Sequence, residues 1–165
     1  VFMPSSVTPA LVFSQLLKNN QPQAAAWVTG NTSAPQLSGL VKFYDTPYGG
    51  VLIESELFGL PNIQTSGSSD FYAMHIHENG DCSQSFTKTG EHYNPQHRLH
   101  PYHAGDLLPV LGNQGYAWEA FYDKRFSISD ILGRSVVIHS DSDDFSSQPS
   151  GNSGNKIGCG MIRRV

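Results

Sequence analysis

The sequence predicts an all-β sandwich or barrel carrying two long functional loops and a short N-terminal helical arm, on three observations. Short apolar stretches, several alternating with period two, are separated by turn residues. Sixteen glycines and ten prolines among 165 residues supply those turns. Only 15% of residues are charged, too few for a coiled coil or a long solvent-facing helix. A chain of this length supports one ordinary core, and it contains no internal repeat.

Residues 1–22 read as the arm. Thr8 is an N-cap, Pro9 suits the first helical position, and Val12, Phe13, Leu16 and Leu17 make an apolar stripe. Asn19, Asn20 and Pro22 end it. Strands follow at 24–29 and 37–45, and the Pro/Gly turn 46–50 leads into a third at 51–58. There Val51, Ile53 and Leu57 alternate with Leu52, Glu54 and Glu56, as in a half-buried antiparallel hairpin. Residues 65–70 are a polar connector and 71–77 another strand. From there to Gly115 the chain has little periodicity and reads as the first long loop. Strands are predicted again at 116–122 and 134–139, and the Ser/Asp/Gly/Asn-rich stretch 140–154 is the second long loop. The chain therefore divides into the arm and a β-domain, 23–165. Long loops on a rigid β scaffold are where function concentrates.

A net charge of −4 with no run of five Lys or Arg argues against a nucleic-acid partner. The longest apolar run, 24–28, is far too short to span a bilayer. Cys82 and Cys159 lie outside any CxxC pair, against a thiolate zinc site. They are either two buried thiols or one disulfide, and a bridge would contribute about 4–5 kcal/mol in the chain-entropy model. The chain starts at Val1 and shows no signal peptide. It reads as a processed product, with a secreted, periplasmic or cell-surface location favoured over the cytoplasm.

Seven histidines stand out, six of them between His75 and His103. His75 and His77, two apart on a predicted strand, leave the same face, which fixes the separation of two imidazoles without ordering a loop. His92, His100 and His103 follow, with Asp106 three residues later, a donor set that suits tetrahedral Zn²⁺. His139 ends the strand 134–139 and is placed to join His75 and His77, and an all-imidazole set suits Cu²⁺. These donors exceed what one four-coordinate ion uses. Two neighbouring metals, or one metal and several bystanders, both remain open.

The strings HIHENGDC, GEHYNP, HAGDL, GRSVVIHSDSDD and GNSGNKIGCGMI resemble, in order, the successive motifs of copper/zinc superoxide dismutases. The resemblance implies an immunoglobulin-like Greek-key β-sandwich or barrel. It implies copper ligands at His75, His77, His92 and His139, and zinc ligands at His92, His100, His103 and Asp106, with His92 bridging. Asp143 matches a carboxylate that receives hydrogen bonds from the free ring N–H groups of His75 and His100. Cys82 and Cys159 match the positions of a disulfide pinning the metal loop to the final strand. The implied reaction is disproportionation of the superoxide anion by copper redox cycling. His92 is its proton carrier, zinc fixes the His92 ring, and Lys156 holds the anion. Apart from the resemblance, the N-terminal arm is a candidate for self-association, and a homodimer is the assembly considered.

The sequence also departs from the family pattern. Lys156 stands where the family has arginine, keeping the charge and losing the bidentate fork. Only Pro101 and Tyr102 separate His100 from His103, which makes His97 a substitute for His100, although His97 reads as a surface residue. Residues 108–111 look like a small insertion, and the loop 140–154 has no Lys or Arg. Two other readings compete. One is a non-enzymatic copper- or zinc-binding protein on the same scaffold. The other is a cupin-like single-metal enzyme, which the Asp81 and Cys82 positions disfavour for want of a glutamate. A hydrolytic HxHxDH zinc site is disfavoured by Asn79 and Gly80.

Overall fold

The structure is a computed structural model and describes residues 7–61 and 70–165. The proposed polar connector therefore lies, except for Asp70, outside the described residues, as do the first six residues of the arm.

The remainder of the arm is helix α1 (Pro9–Asn19), entered from an extended Thr8 and closed by Asn20. Asn20 takes up the left-handed conformation, and its N–H bonds back to the carbonyls of Leu16 and Leu17. No α1 residue is fully buried. The helix docks through Phe13, which stacks on Tyr122 and meets Tyr48 edge-on.

Alternation then sets the strands. In β1 (Ala24–Gly30) Ala24, Ala26 and Val28 are buried while Trp27 faces outward. β2 (Ser38–Asp45) and β3 (Val51–Phe58) form the predicted hairpin, with Phe43 opposite Ile53 in the core. β4 (Phe71–Tyr72), β5 (Met74–His77), β6 (Val110–Leu111), β7 (Ala117–Asp123), a single helical turn α2 (Ile128–Ile131), β8 (Ser135–His139) and β9 (Lys156–Arg164) complete the order.

Seven strands make one antiparallel sheet in the order β5-β8-β9-β1-β2-β3-β7, and β4 pairs with β6 apart from it. The first and last strands of the main sheet's chain order, β1 and β9, lie side by side. β7 returns to β3, and β8 sits between β5 and β9, connections of the Greek-key kind. Inward residues of β1, β2, β3, β5, β8 and β9 share one apolar cluster with Tyr72 of β4 and Val110 of β6. One core for so many strands requires the large sheet to curve round it, with the small sheet covering an open side.

Two predicted readings change and one strand has no pattern of its own, each for a long-range reason. Stretch 71–77 is two strands rather than one. Ala73 between them bonds sideways to the second loop, its N–H donating to Asp141 and its carbonyl accepting from His139. Residues 108–111, read as an insertion, contain β6, the partner of β4. The final strand β9 carries no clear apolar alternation because Gly158 and Gly160 occupy its centre. A Cβ at Gly160 would lie 2.4 Å from the Trp27 carbonyl, and one at Gly158 2.6 Å from Leu37.

The other face of β5, β8 and β9 carries the paired strand histidines. Met74 and Ile76 point into the core, so His75 and His77 point away from it, and both are nevertheless buried. Val137 and Cys159 lie on that same outer face, in a small cluster with Phe86 and Cys82. The two long loops cover it.

Candidate metal centre

The first loop is zipped onto β5 by backbone hydrogen bonds. Tyr93 N–H donates to the Ile76 carbonyl (2.7 Å), Ile76 N–H to Gly105 (2.8 Å), and Gly105 N–H to Tyr93 (2.9 Å). Gly105 is required there, since a Cβ would lie 2.4 Å from the Ile76 carbonyl. This pairing sets His92 against His77 and Asp106 against His75. His139 arrives from the end of β8, two residues after the outward Val137 and hence on the same face.

The second loop locks these rings. Asp143 lies with Oδ2 2.8 Å from His75 Nε2 and Oδ1 2.8 Å from His100 Nε2, and Phe145 N–H donates to it as well (2.7 Å). Burial pushes the Asp143 carboxyl up, but those hydrogen bonds outweigh it and bring the pKa down to about 2. An ionised Asp143 only accepts, so His75 and His100 each carry their proton on Nε2 and keep Nδ1 bare. Gly151 approaches closely enough that a Cβ would collide with Asp143 Oδ1 and His100 Nε2.

His77 is fixed in the opposite tautomer. Its Nδ1 donates to the Gly90 carbonyl (2.9 Å), leaving Nε2 bare and 3.3 Å from His139 Nε2. Burial lowers the His75 pKa to about 4 and holds His77 and His139 well below the ordinary imidazole value. Neutral imidazoles are what metal binding needs.

Donor atoms of His75, His77, His92 and His139 lie within 4.8 Å of one another. So do those of His75, His92, His100 and Asp106. His75, however, has only Nδ1 to offer, and can serve one ion. The second set is completed instead by His103, whose Nδ1 is 3.3 Å from both His92 Nδ1 and Asp106 Oδ2. His92 Nδ1 to Asp106 Oδ1 is 2.8 Å, and His100 Nδ1 to Asp106 Oδ2 is 3.1 Å. Four ligands placed tetrahedrally at about 2.0–2.1 Å from zinc stand about 3.3 Å apart, close to this spacing. His75 Nδ1, His92 Nε2 and His100 Nδ1 are buried without a hydrogen bond, the expected state of nitrogens aimed at an ion. His92 alone turns a nitrogen to each set. The donors therefore fit copper on the all-imidazole side and zinc on the side with the carboxylate.

His97 stays out, exposed on its loop, and takes no part. Lys156 Nζ donates to Thr89 Oγ1 (2.7 Å) and faces the Phe86 and Gly90 carbonyls at 3.5 Å. It thus touches the carbonyl that orients His77. Cys82 and Cys159 form a disulfide, which ties the first loop to β9. Two contributors carried no signal in the sequence. Gln148 grips both backbone groups of His100, accepting from its N–H (2.9 Å) and donating to its carbonyl (2.8 Å). Arg125 bonds the carbonyls of His103 and Asp106.

Comparison with known proteins matches residues 37–162 to the family model described as copper/zinc superoxide dismutase (SODC). The chain belongs to the copper/zinc superoxide dismutase family. It is 33% identical over 156 residues to superoxide dismutase [Cu-Zn] 3 of Arabidopsis thaliana, covering 85% of this chain and 89% of that one. Against the extracellular superoxide dismutase [Cu-Zn] of Mus musculus it is 34% identical over 137 residues, 78% of this chain but only 54% of the mouse protein. Among solved structures, the clock protein EA4 superposes with a TM-score of 0.74 at 30% identity, covering 87% of this chain and 96% of that one. The donors of both sets fall within the matched span, and the family's two metals are those that the donor sets fit.

Proposed function

We propose that the protein disproportionates superoxide, two anions and two protons giving one oxygen and one hydrogen peroxide. His75, His77, His92 and His139 would hold copper, and His92, His100, His103 and Asp106 zinc. The observation that carries this reading is His92, whose Nδ1 faces one donor set while its buried Nε2 faces the other without a hydrogen bond. When bound, copper supplies a one-electron redox couple and zinc an adjacent positive charge.

The chain supplies the rest. His92 Nε2 holds a proton and passes it to the reduced oxygen species. Asp143 keeps His75 and His100 in one tautomer, and Gly90 does so for His77. Lys156 adds positive potential beside the His77 end of the site.

Quantifying copper and zinc in the purified protein alongside superoxide turnover tests the reading, which expects one of each metal per chain and fast turnover. Both metals without turnover would favour a metal-binding protein, a reading suggested by the engagement of Lys156 with Thr89. One metal per chain would revive the single-metal enzyme.

We further infer a homodimer formed through the outer face of β1 and β2, where Trp27 (69% exposed) lies across from Leu40 (41% exposed). Sedimentation should give a dimer that Trp27→Ser weakens. A location in an oxidising compartment is supported by the Cys82–Cys159 disulfide and by the extracellular mouse relative. Among the described residues no helix is long and apolar enough to cross a membrane.

A further inference from the structure

We propose that Arg125 is the positioning residue of the zinc-side donors, holding the turn that carries His103 and Asp106 against the end of β7. The inference rests on the two-metal reading of the site, and deepens it by naming what fixes half of one donor set.

Asp123 is the buried last residue of β7. Its carboxylate accepts from the Arg125 backbone N–H (2.9 Å), from Nε (3.0 Å) and from Nη2 (2.6 Å). That pairing fixes the plane of the guanidinium, so the remaining N–H groups project in a set direction. They meet two backbone carbonyls: Nη1 donates to His103 (3.0 Å) and Nη2 to Asp106. Both of those residues are proposed zinc donors, and their side chains point the other way, toward His92.

The turn between them is also closed on itself. Asp106 N–H donates to the His103 carbonyl (3.1 Å), and His103 N–H donates to Asp106 Oδ2 (2.9 Å). The internal bonds fix the shape of the turn, and Gly105 within it ties one side to Tyr93 and to Ile76 of β5. Pro101 and Tyr102 join it to His100, which Gln148 and Asp143 hold from the second loop. Arg125 adds the tie at the two donor residues themselves, to the end of a strand of which seven residues pair with β3. Lysine cannot do this, since a single ammonium does not span a carboxylate and two carbonyls in one plane. Asp106 keeps one carboxylate oxygen near His92 Nδ1 and the other near His100 and His103, and a shift of the turn would spoil all three distances together.

The test measures zinc rather than turnover. Arg125→Gln and Arg125→Lys are compared with the parent in three readouts: zinc affinity by competition with a chromophoric chelator, the visible spectrum of Co²⁺ placed in the zinc position, and the melting temperature of the metal-free protein. Both variants are expected to bind zinc about tenfold or more weakly, with an altered Co²⁺ spectrum, and lysine is not expected to rescue. Zinc affinity equal to the parent's in both variants would overturn the proposal. So would a weakening matched by a lower metal-free melting temperature with an unchanged Co²⁺ spectrum, because that is a purely structural role. If Arg125→Gln does not fold, Arg125→Lys carries the same comparison. His103→Ala is the control for the underlying reading: a parent that holds zinc no more tightly than His103→Ala would remove the zinc set itself, whatever Arg125 does.

Discussion

The Nε2 of His75 lies 2.8 Å from Oδ2 of Asp143, so the one nitrogen that this ring can offer a metal is Nδ1. The other Asp143 oxygen does the same to His100 on the opposite side of the site. One carboxylate from the second loop thereby sets the tautomer of a ligand in each donor group. Asp143→Ala is expected to weaken both metals by roughly 10–100-fold, with no change in the number of ligands. Chelator competition for copper and zinc separately checks it. Loss of affinity for one metal only would mean that the carboxylate serves one ring.

His139 belongs to the all-imidazole donor set alone, through its place beside His77 Nε2 and its absence from the carboxylate cluster. His139→Ala should remove stoichiometric copper while zinc stays. A variant with full copper and full turnover would take His139 out of the ligand set.

How much of this could be read from the chain varies with the range of the interaction. β1 to β3 are legible because alternating residues such as Ala26, Phe43 and Ile53 face one core, a local pattern. β9 is not, since its glycines answer to Trp27, Leu37 and Val28 on other elements. The split at Ala73 depends on Asp141, far along the chain. In the site, the spacing of His75 and His77 and the residue types of His92, His100, His103, Asp106 and His139 bring out the donors, and the motif resemblance divides them between two metals. The assignment of individual nitrogens needs Asp143 and the Gly90 carbonyl, neither of which a spacing reveals. Gln148 and Arg125 act on backbone groups of His100, His103 and Asp106, and backbone partners leave no trace in residue type.

Removing the metals should leave an acid-sensitive protein. Burial lowers His75 to about 4, and His77 and His139 also lie well below the ordinary 6.5. Above pH 6.5 these rings are neutral in both folded and unfolded chains and contribute no pH dependence. As the pH falls below 6.5 the unfolded chain takes up protons first, so the folded state loses stability until the buried rings themselves protonate. From His75 alone the loss between pH 6.5 and 4 is on the order of 3 kcal/mol. Asp143, held at about 2, adds a further loss only below its ordinary value of 3.8. Urea unfolding of the metal-free protein at pH 7, 6, 5 and 4 should show a falling midpoint. A flat profile would mean that these rings are not buried neutral.

Lys156 combines two roles that substitutions can separate. Its ammonium donates to Thr89 Oγ1 at 2.7 Å and faces the Gly90 carbonyl that orients His77, and it carries the positive charge that an anionic substrate would meet. Lys156→Ala removes both the charge and the tie. Lys156→Arg keeps the charge, and Thr89→Val keeps the charge while deleting only the hydrogen bond. If attraction dominates, Lys156→Ala lowers kcat/KM by about 3–10-fold at low ionic strength, and the deficit shrinks as salt passes about 0.1 M, where the screening length falls to about 10 Å. Lys156→Arg then preserves or raises the rate, and Thr89→Val leaves the salt dependence of the parent intact. Pulse radiolysis across a range of ionic strength reads all three. Equal low-salt rates for Lys156→Ala and the parent would remove the steering role. A salt-independent deficit shared by Lys156→Ala and Thr89→Val would assign Lys156 to holding the Gly90 carbonyl instead.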